Sequence, residues 1–320
     1  MTPGRILVVG GASFVGSHLI DYVLREQPSV QIFATRRGHR SDLSNLVHLA
    51  PGAAALLDLD LLDAGSITRA LEAARPDVVF HLAAQSFVPA SFAAPVATLV
   101  TNAVGTLNLL EACRSVARVH LCSSSEVYGN VPGALVPIRE DAPTNPESPY
   151  GVSKLAADRL GAVYWRAYGL GVVTTRAFTH SGPRRGAPFV DSAFCRQVAL
   201  VEKNRQRPVL HVGNLESRRT FCDVRDLVRA YWLLATRGEP GEVYNVGGHE
   251  TYAVRDVIEM LRAMTPARFE VEVDATLVRP TDVTNQIPCL DKIEHAISWR
   301  ATTPYQKTLR DCLDWWRERV

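Results

Sequence analysis

The sequence predicts an α/β fold: a doubly wound parallel sheet with a smaller, interleaved C-terminal lobe. Three features carry that prediction. Short continuous apolar runs alternate with amphipathic helical patterns, as when crossover helices join parallel strands buried on both faces. A glycine-rich turn, Gly10-Gly11-Ala12-Ser13-Phe14-Val15-Gly16, links the first apolar run to the first helical pattern. After Arg176 the alternation gives way to a basic, turn-rich segment, which marks the start of the second lobe.

Taken in order, Ile6-Leu7-Val8-Val9 is wholly apolar, as a central strand requires. Leu19, Ile20, Val23 and Leu24 then recur at helical spacing. A glycine-rich strand-to-helix turn lets the backbone approach a pyrophosphate, which rests on the positive helix N-terminus. This is the Rossmann arrangement for a dinucleotide, and it makes Gly10, Ser13, Phe14, Val15 and Gly16 candidate cofactor contacts. Ser13 stands where the usual spacing has a glycine. The second strand, Gln31 to Thr35, ends in Arg36-Arg37. A carboxylate there would hold the ribose hydroxyls of NAD, whereas arginines suit the 2′-phosphate of NADP. Asp60-Leu61-Leu62-Asp63 is read as closing another short strand, with Asp60 and Leu61 near the adenine. Asp77 to Gln85 is the next buried strand and its exit. The small Ala83-Ala84 pair permits close cofactor approach, flanked by Leu82 and Gln85, while His81 reads as a packed core residue. Asn102 to Arg114 reads as a helix with Ala103, Leu107 and Leu110 on one face, and Val116 to Ser123 returns to the sheet.

The chemistry concentrates between this strand end and the next helix. Ser124 and Glu126 follow the strand, and Tyr150 and Lys154 sit four residues apart, on one face of a helix. An ammonium beside a phenol favours the phenolate, so Lys154 is expected to lower the pKa of Tyr150. Ser124 would hold the oxygen that Tyr150 protonates or deprotonates, and Glu126 offers a second acid/base. Tyr-x-x-x-Lys alone is weak; with a hydroxyl-rich strand end and a phosphate loop upstream it reads as an active site.

Gly171 to Arg176 is a further strand, Asp191 to Lys203 an amphipathic helix, and Val243 to Gly248 a strand rejoining the first sheet. A helix near Val254 to Met264, a strand near Phe269 to Val273 and a final helix ending in Trp315-Trp316 complete the chain. The expected division is residues 1–176, joined by about 221–249, for the dinucleotide. Residues 177–220 and 250–320 then form the substrate lobe.

Composition bounds the partners. A net charge of +2 implies no polyelectrolyte, so nucleic acid is not expected. Apolar residues at 47% and charged residues at 21% suit a globular chain rather than a disordered one. Local basic pairs, Arg36-Arg37, Arg184-Arg185 and Arg218-Arg219, read as phosphate contacts. The six cysteines lack Cys-x-x-Cys spacing, so free thiols are expected rather than zinc or disulfides. With neither a signal-peptide pattern nor a run near the roughly 20 apolar residues of a membrane span, the expected location is cytoplasmic.

Several stretches carry a resemblance over essentially the whole chain. They are His81-Leu82-Ala83-Ala84-Gln85-Ser86, Ser124-Ser125-Glu126-Val127-Tyr128-Gly129 and Ser148-Pro149-Tyr150-Gly151-Val152-Ser153-Lys154. Gly182-Pro183-Arg184-Arg185-Gly186, Val212-Gly213-Asn214-Leu215-Glu216 and Val278-Arg279-Pro280-Thr281 add to them. The chain resembles the extended short-chain dehydrogenase/reductases (the NAD-dependent epimerase/dehydratase family) that act on nucleotide sugars. Within that family it looks most like the GDP-mannose 4,6-dehydratases, with the GDP-4-keto-6-deoxy-mannose reductases as near relatives. The resemblance implies NADP as cofactor, GDP-mannose or a related nucleotide sugar as substrate, and a homodimer or homotetramer. It assigns Tyr150 as the base at the sugar C4 hydroxyl, aided by Lys154 and Ser124, and Glu126 as the base at C5. Asn102, Phe178, His180 and Arg185 join the cofactor set. Ser86, Thr179, Val190, Asn214, Arg219, Arg279 and Asp282 join Ser124 and Glu126 on the substrate side. Thr179 replaces the family's usual Asn, and Ser124 its usual Thr. Alternatives are the 4-keto reductase, an enzyme for another nucleotide sugar, and a silent NADP-binding sensor or scaffold.

Overall fold

The computed structural model describes residues 2–39, 41–277 and 285–320. The first half runs β1 (Arg5–Val9), α1 (Phe14–Glu26), β2 (Gln31–Arg36), β3 (Ala55–Asp58), α2 (Ala64–Ala74) and β4 (Val78–His81). Next come α3 (Val88–Ala93) and α4 (Pro95–Leu99), which pass through a π-helical turn at Val100–Val104 into α5 (Gly105–Ala112). Then follow β5 (Arg118–Ser124), α6 (Pro149–Tyr168) and β6 (Gly171–Ala177). The remainder is β7 (His180–Ser181), α7 (Val190–Glu202), β8 (Val209–Val212), β9 (Arg218–Thr220), β10 (Cys222–Asp223) and α8 (Val224–Arg237). It continues through β11 (Val243–Val246), β12 (Thr251–Ala253), α9 (Val254–Arg262), β13 (Glu270–Val273) and β14 (Asn285–Gln286) to α10 (Asp291–Ile297) and α11 (Tyr305–Arg317).

The main sheet has seven strands in the order β11-β6-β5-β4-β1-β2-β3, every pairing parallel. Strand β1 shows why its sequence admits no polar residue after Arg5 at its start. Ile6 and Val8 enter the core under α1 and α8, while Leu7 and Val9 enter the opposite core under α2 and α5. Both faces are dry, as helices on either side of a parallel sheet require. The strand order reverses at β1, which has β2 on one side and β4 on the other, so a crevice opens beyond its carboxyl end. A third apolar core joins α7, α9 and α11 to β8, and Trp316 packs on it as a structural residue.

Helix α6 positions the central chemistry. Ser148 caps it by accepting from the Gly151 amide at 3.0 Å, Pro149 occupies the first turn, and Gly169 ends it in the left-handed region at φ 69°. Two expectations are corrected here. The third strand ends at Asp58, so Asp60 to Asp63 lie beyond it. Asp60 instead accepts from the Leu62 amide at 2.9 Å and Asp63 caps α2, local bonds that compete with strand pairing. Leu107 is 38% exposed, whereas Asn102, Thr106, Leu109 and Leu110 face inward. Asn102, pinned by its amide group to Gln85 and Ser153, sets the rotation of that helix.

His81 and His120 are buried in adjacent strands and bond through Nε2 to Thr106 and Thr175 at 2.8 and 3.1 Å. Burial, with the Lys154 charge nearby, lowers each from 6.5 to about 3. Above pH 6.5 the imidazoles are neutral both folded and unfolded; below it only the unfolded chain takes up the proton. Stability therefore falls as pH drops from 6.5 toward about 3, by up to about 1.4 kcal/mol per pH unit for each histidine. Urea unfolding across this window should show the loss. His120→Gln should reduce the slope by about one histidine's share, and an unchanged slope would show that His120 titrates normally.

Candidate active site

A cleft of about 1680 Å³ runs across the carboxyl ends of the main sheet to the second lobe. It exceeds the roughly 300–1,000 Å³ typical of a single small-molecule site, so it has room for a dinucleotide and a second ligand. At its floor, Gly10 has φ 89°, and a Cβ there would lie 2.8 Å from the Ala83 backbone nitrogen. A Cβ on Gly16 would collide with the Gly10 carbonyl. The glycines thus let the β1 turn, the β4 exit and the α1 N-terminus converge on a backbone cradle. Ser13 fits this cradle without distortion. At φ −73° and ψ 170° it is the N-cap of α1, its Oγ accepting from the Gly16 amide at 3.1 Å.

At the β2 end of the cleft stand Arg36 and Arg37, with Ser13, Ser41 and Asn45. Arg36 Nε donates to Asp58 at 2.7 Å, which orients that guanidinium along the cleft edge. The backbone cradle beside these donors fits the phosphates of a nicotinamide dinucleotide. Asp60, Leu61, Leu82, Ala83, Ala84 and Gln85 line the neighbouring wall together with Phe14 and Val15. Gly16 and Asn102 do not reach it. Gly16 packs behind the turn, and Asn102 lies under Gln85, accepting from its amide at 2.8 Å.

Ser124, Glu126, Tyr150 and Lys154 converge on the cleft from the end of β5, the turn Ser125–Val127 and the start of α6. Burial pushes the Tyr150 phenol above its ordinary value, and Cys122 and Glu126 add to this. A hydrogen bond with Ser124 and the Arg185 guanidinium pull the other way. Burial also lowers the pKa of Lys154, against Cys122 and Asp158. The expectation that Lys154 depresses Tyr150 is corrected: the lysine Nζ donates to the Cys122 carbonyl, and desolvation dominates the phenol. The cation that draws the phenol down is Arg185, acting against Cys122 and Glu126.

The Arg184-Arg185 pair divides its work. Arg184, at φ 71°, is tied to Asp21 at 2.6 Å and to His18 at 2.8 Å, fastening its loop to α1 at the cleft wall. Burial and Arg184 lower His18 to about 4. Arg185 faces the cleft between Phe14 and Phe189, 5.2 and 4.0 Å from the ring centroids. His180 stacks on Phe14 at 6.1 Å, and Phe178 lies beside it in the wall.

On the far side Ser86, Thr179, Val190, Asn214 and Arg219 line the cleft, with Arg219 only 9% exposed. Arg279 and Asp282 lie outside the described residues. Sequence reasoning missed Gln197, His211, Asp274, Thr276 and Leu277, which also line this end. No motif marks them; the parallel pairing of β13 with β8 brings His211 beside the segment from Asp274 to Leu277, and Gln197 on α7 joins by accepting from the His211 amide at 2.9 Å. Among the described residues, no group of three or more His, Cys, Asp or Glu side chains is placed to hold a metal ion.

The sequence profile of the family described as GDP-mannose 4,6 dehydratase matches residues 7–312. The chain is 33% identical to GDP-6-deoxy-D-mannose reductase of Pseudomonas aeruginosa, over 99% of this chain and 98% of that one. It is 31% identical to GDP-mannose 4,6 dehydratase 1 of Arabidopsis thaliana, over 96% of this chain and 88% of that one. The structure of RMD from Pseudomonas aeruginosa complexed with NADPH superposes with a TM-score of 0.83 at 32% identity, covering 99% of this chain and 100% of that one.

The cap at the cradle is open to test. Ser13→Ala should cost about 1 kcal/mol of stability and Ser13→Gly only a few tenths, measured by urea unfolding without cofactor. Wild-type stability in Ser13→Ala would show that the hydroxyl contributes nothing to the turn.

Proposed function

Because the chain belongs to the GDP-mannose 4,6-dehydratase family, we propose that it is an NADP-dependent GDP-sugar 4,6-dehydratase. Its substrate is GDP-mannose or a related sugar, and its product a GDP-4-keto-6-deoxy sugar. The observation that carries this reading is the position of Glu126, in the same cleft as Tyr150, Ser124 and Lys154. It supplies a second acid/base beside the Tyr-Lys pair. Residues 1–176 with about 221–249 hold the cofactor, and 177–220 with 250–320 the sugar nucleotide.

The glycine cradle with Arg36 and Arg37 would hold NADP, which when bound would take the hydride from C4 and give it back to C6 within one turnover. Tyr150 takes the proton of the C4 hydroxyl, and Ser124 donates a hydrogen bond to that oxygen. The hydrogen bond with Ser124 and the Arg185 guanidinium offset the burial that otherwise keeps the phenol protonated. With a ketone at C4 the C5 proton is acidic. Glu126 removes it and passes it to the C6 hydroxyl, which leaves as water; C5 takes a proton back as C6 is reduced, and Arg219 holds the nucleotide end.

Identity to a GDP-6-deoxy-D-mannose reductase gives a second reading, in which the same Tyr-Lys machinery reduces a 4-keto sugar. Two assays separate them. Incubation with GDP-mannose should give, by mass analysis, a product lighter by one water without net consumption of NADPH. Glu126→Gln should lower the rate about 10²–10⁴-fold while sparing cofactor affinity. Intact GDP-mannose, together with steady NADPH oxidation on a 4-keto-6-deoxy sugar nucleotide, would establish the reductase instead.

Cofactor choice follows from charge at the end of β2. Replacing Arg36 and Arg37 together by Ala should weaken NADP by about 1.5–3 kcal/mol for each lost charge-assisted contact, and NAD far less. Titration of both cofactors checks this, and equal weakening would remove the 2′-phosphate assignment.

A further inference from the structure

Beneath the cleft lies a polar cluster that the reaction as described does not use. Asp158 on α6, Arg176 on β6, Tyr128 after the Glu126 turn and Asn245 on β11 are each at most 2% exposed. Arg176 pairs with Asp158 through Nε at 2.9 Å and Nη2 at 3.3 Å. Its Nη1 donates to the Tyr128 hydroxyl at 3.0 Å and to the Glu140 carbonyl at 2.9 Å. That hydroxyl donates to Asn245 Oδ1 at 2.8 Å, and Asn245 Nδ2 donates to the Ile138 carbonyl at 2.8 Å. The sheet register supports the arrangement, since Arg176 sits directly between Ser123 on β5 and Asn245 on β11.

A buried ion pair is poor evidence for stability, because desolvation offsets most of its attraction. What this one does is geometric. Asp158 follows Lys154 by four residues and Tyr150 by eight, so all three share one stripe of α6. Tyr128 follows Glu126 by two, and Gly129 then turns the chain at φ 64°. One end of the cluster therefore grips the helix bearing the Tyr-Lys pair, and the other grips the turn bearing Glu126.

We propose that the Asp158–Arg176–Tyr128–Asn245 cluster is a positioning clamp that sets the separation between the Tyr150 station and the Glu126 station. The inference rests on the dehydratase reading, in which the two stations act on adjacent carbons of one sugar. A displacement of about 1 Å between reacting groups costs on the order of 10²-fold in rate. A clamp this rigid and fully bonded matches that demand.

Tyr128→Phe removes only the hydroxyl that joins the two sides. In single turnover with GDP-mannose and NADP, the C4 step, read as reduced-cofactor absorbance, should stay as in the wild type. Exchange of the C5 hydrogen with heavy water should fall on the order of 10²-fold. Arg176→Met should show the same selective loss, and Arg176→Lys partial rescue. Wild-type C5 exchange in Tyr128→Phe, or equal loss of both steps, would overturn the clamp. Should Arg176→Met fail to fold, Tyr128→Phe decides alone. A wild type without C5 exchange would instead sink the dehydratase reading. Hydrogen exchange of the backbone amides in 125–129 then decides the clamp without substrate. Faster exchange there in Tyr128→Phe, with the start of α6 unchanged, supports it, and unchanged protection overturns it.

Discussion

The close approach of the β1 turn to the β4 exit is the constraint on which the rest depends. Gly10 leaves no room for a side chain against the Ala83 backbone. That contact lets the N-terminus of α1 enter the crevice where the strand order reverses. Every other functional segment enters the cleft relative to this crossing, because parallel strands deliver all their carboxyl ends to one side. Tyr150 and Lys154 arrive from the helix after β5, and Ser124 and Glu126 from its end.

Burial sets the electrostatics of the site. Desolvation raises Tyr150 and lowers Lys154, so both groups are driven toward their neutral forms. The counterweights come from outside the Tyr-Lys pair. Ser124 and Arg185 draw the phenol down, and Asp158 supports the ammonium one helical turn away. The site is thus a balance between a dry pocket and a few placed charges, and nearby charges act more strongly there than in water.

The second lobe adds a wall built by different means. Its strands are short, and its core joins three helices instead of lying under the main sheet. The loop between them is anchored to the first half through Arg184 and Asp21, which leaves Arg185 held between two aromatic rings at the junction.

Much of this was legible in the residues. Apolar runs located most strands of the main sheet, since a strand covered on both faces favours apolar side chains and admits polar ones only with buried partners, as at His81, His120 and Arg176. The glycine turn and the hydroxyl-carboxylate-Tyr-Lys series marked the site, since their spacing is local and survives in one dimension. Tertiary structure alone decided the rest. That Ser13 caps a helix, that Asn102 braces Gln85 from behind the wall, and that Arg184 and Arg185 part company are matters of approach between distant segments. So is the wall of Gln197, His211 and Asp274, which no periodicity announces. The pKa of Tyr150 belongs to the same class: sequence spacing places an ammonium one turn away, but only packing decides how dry the phenol is and where that ammonium points.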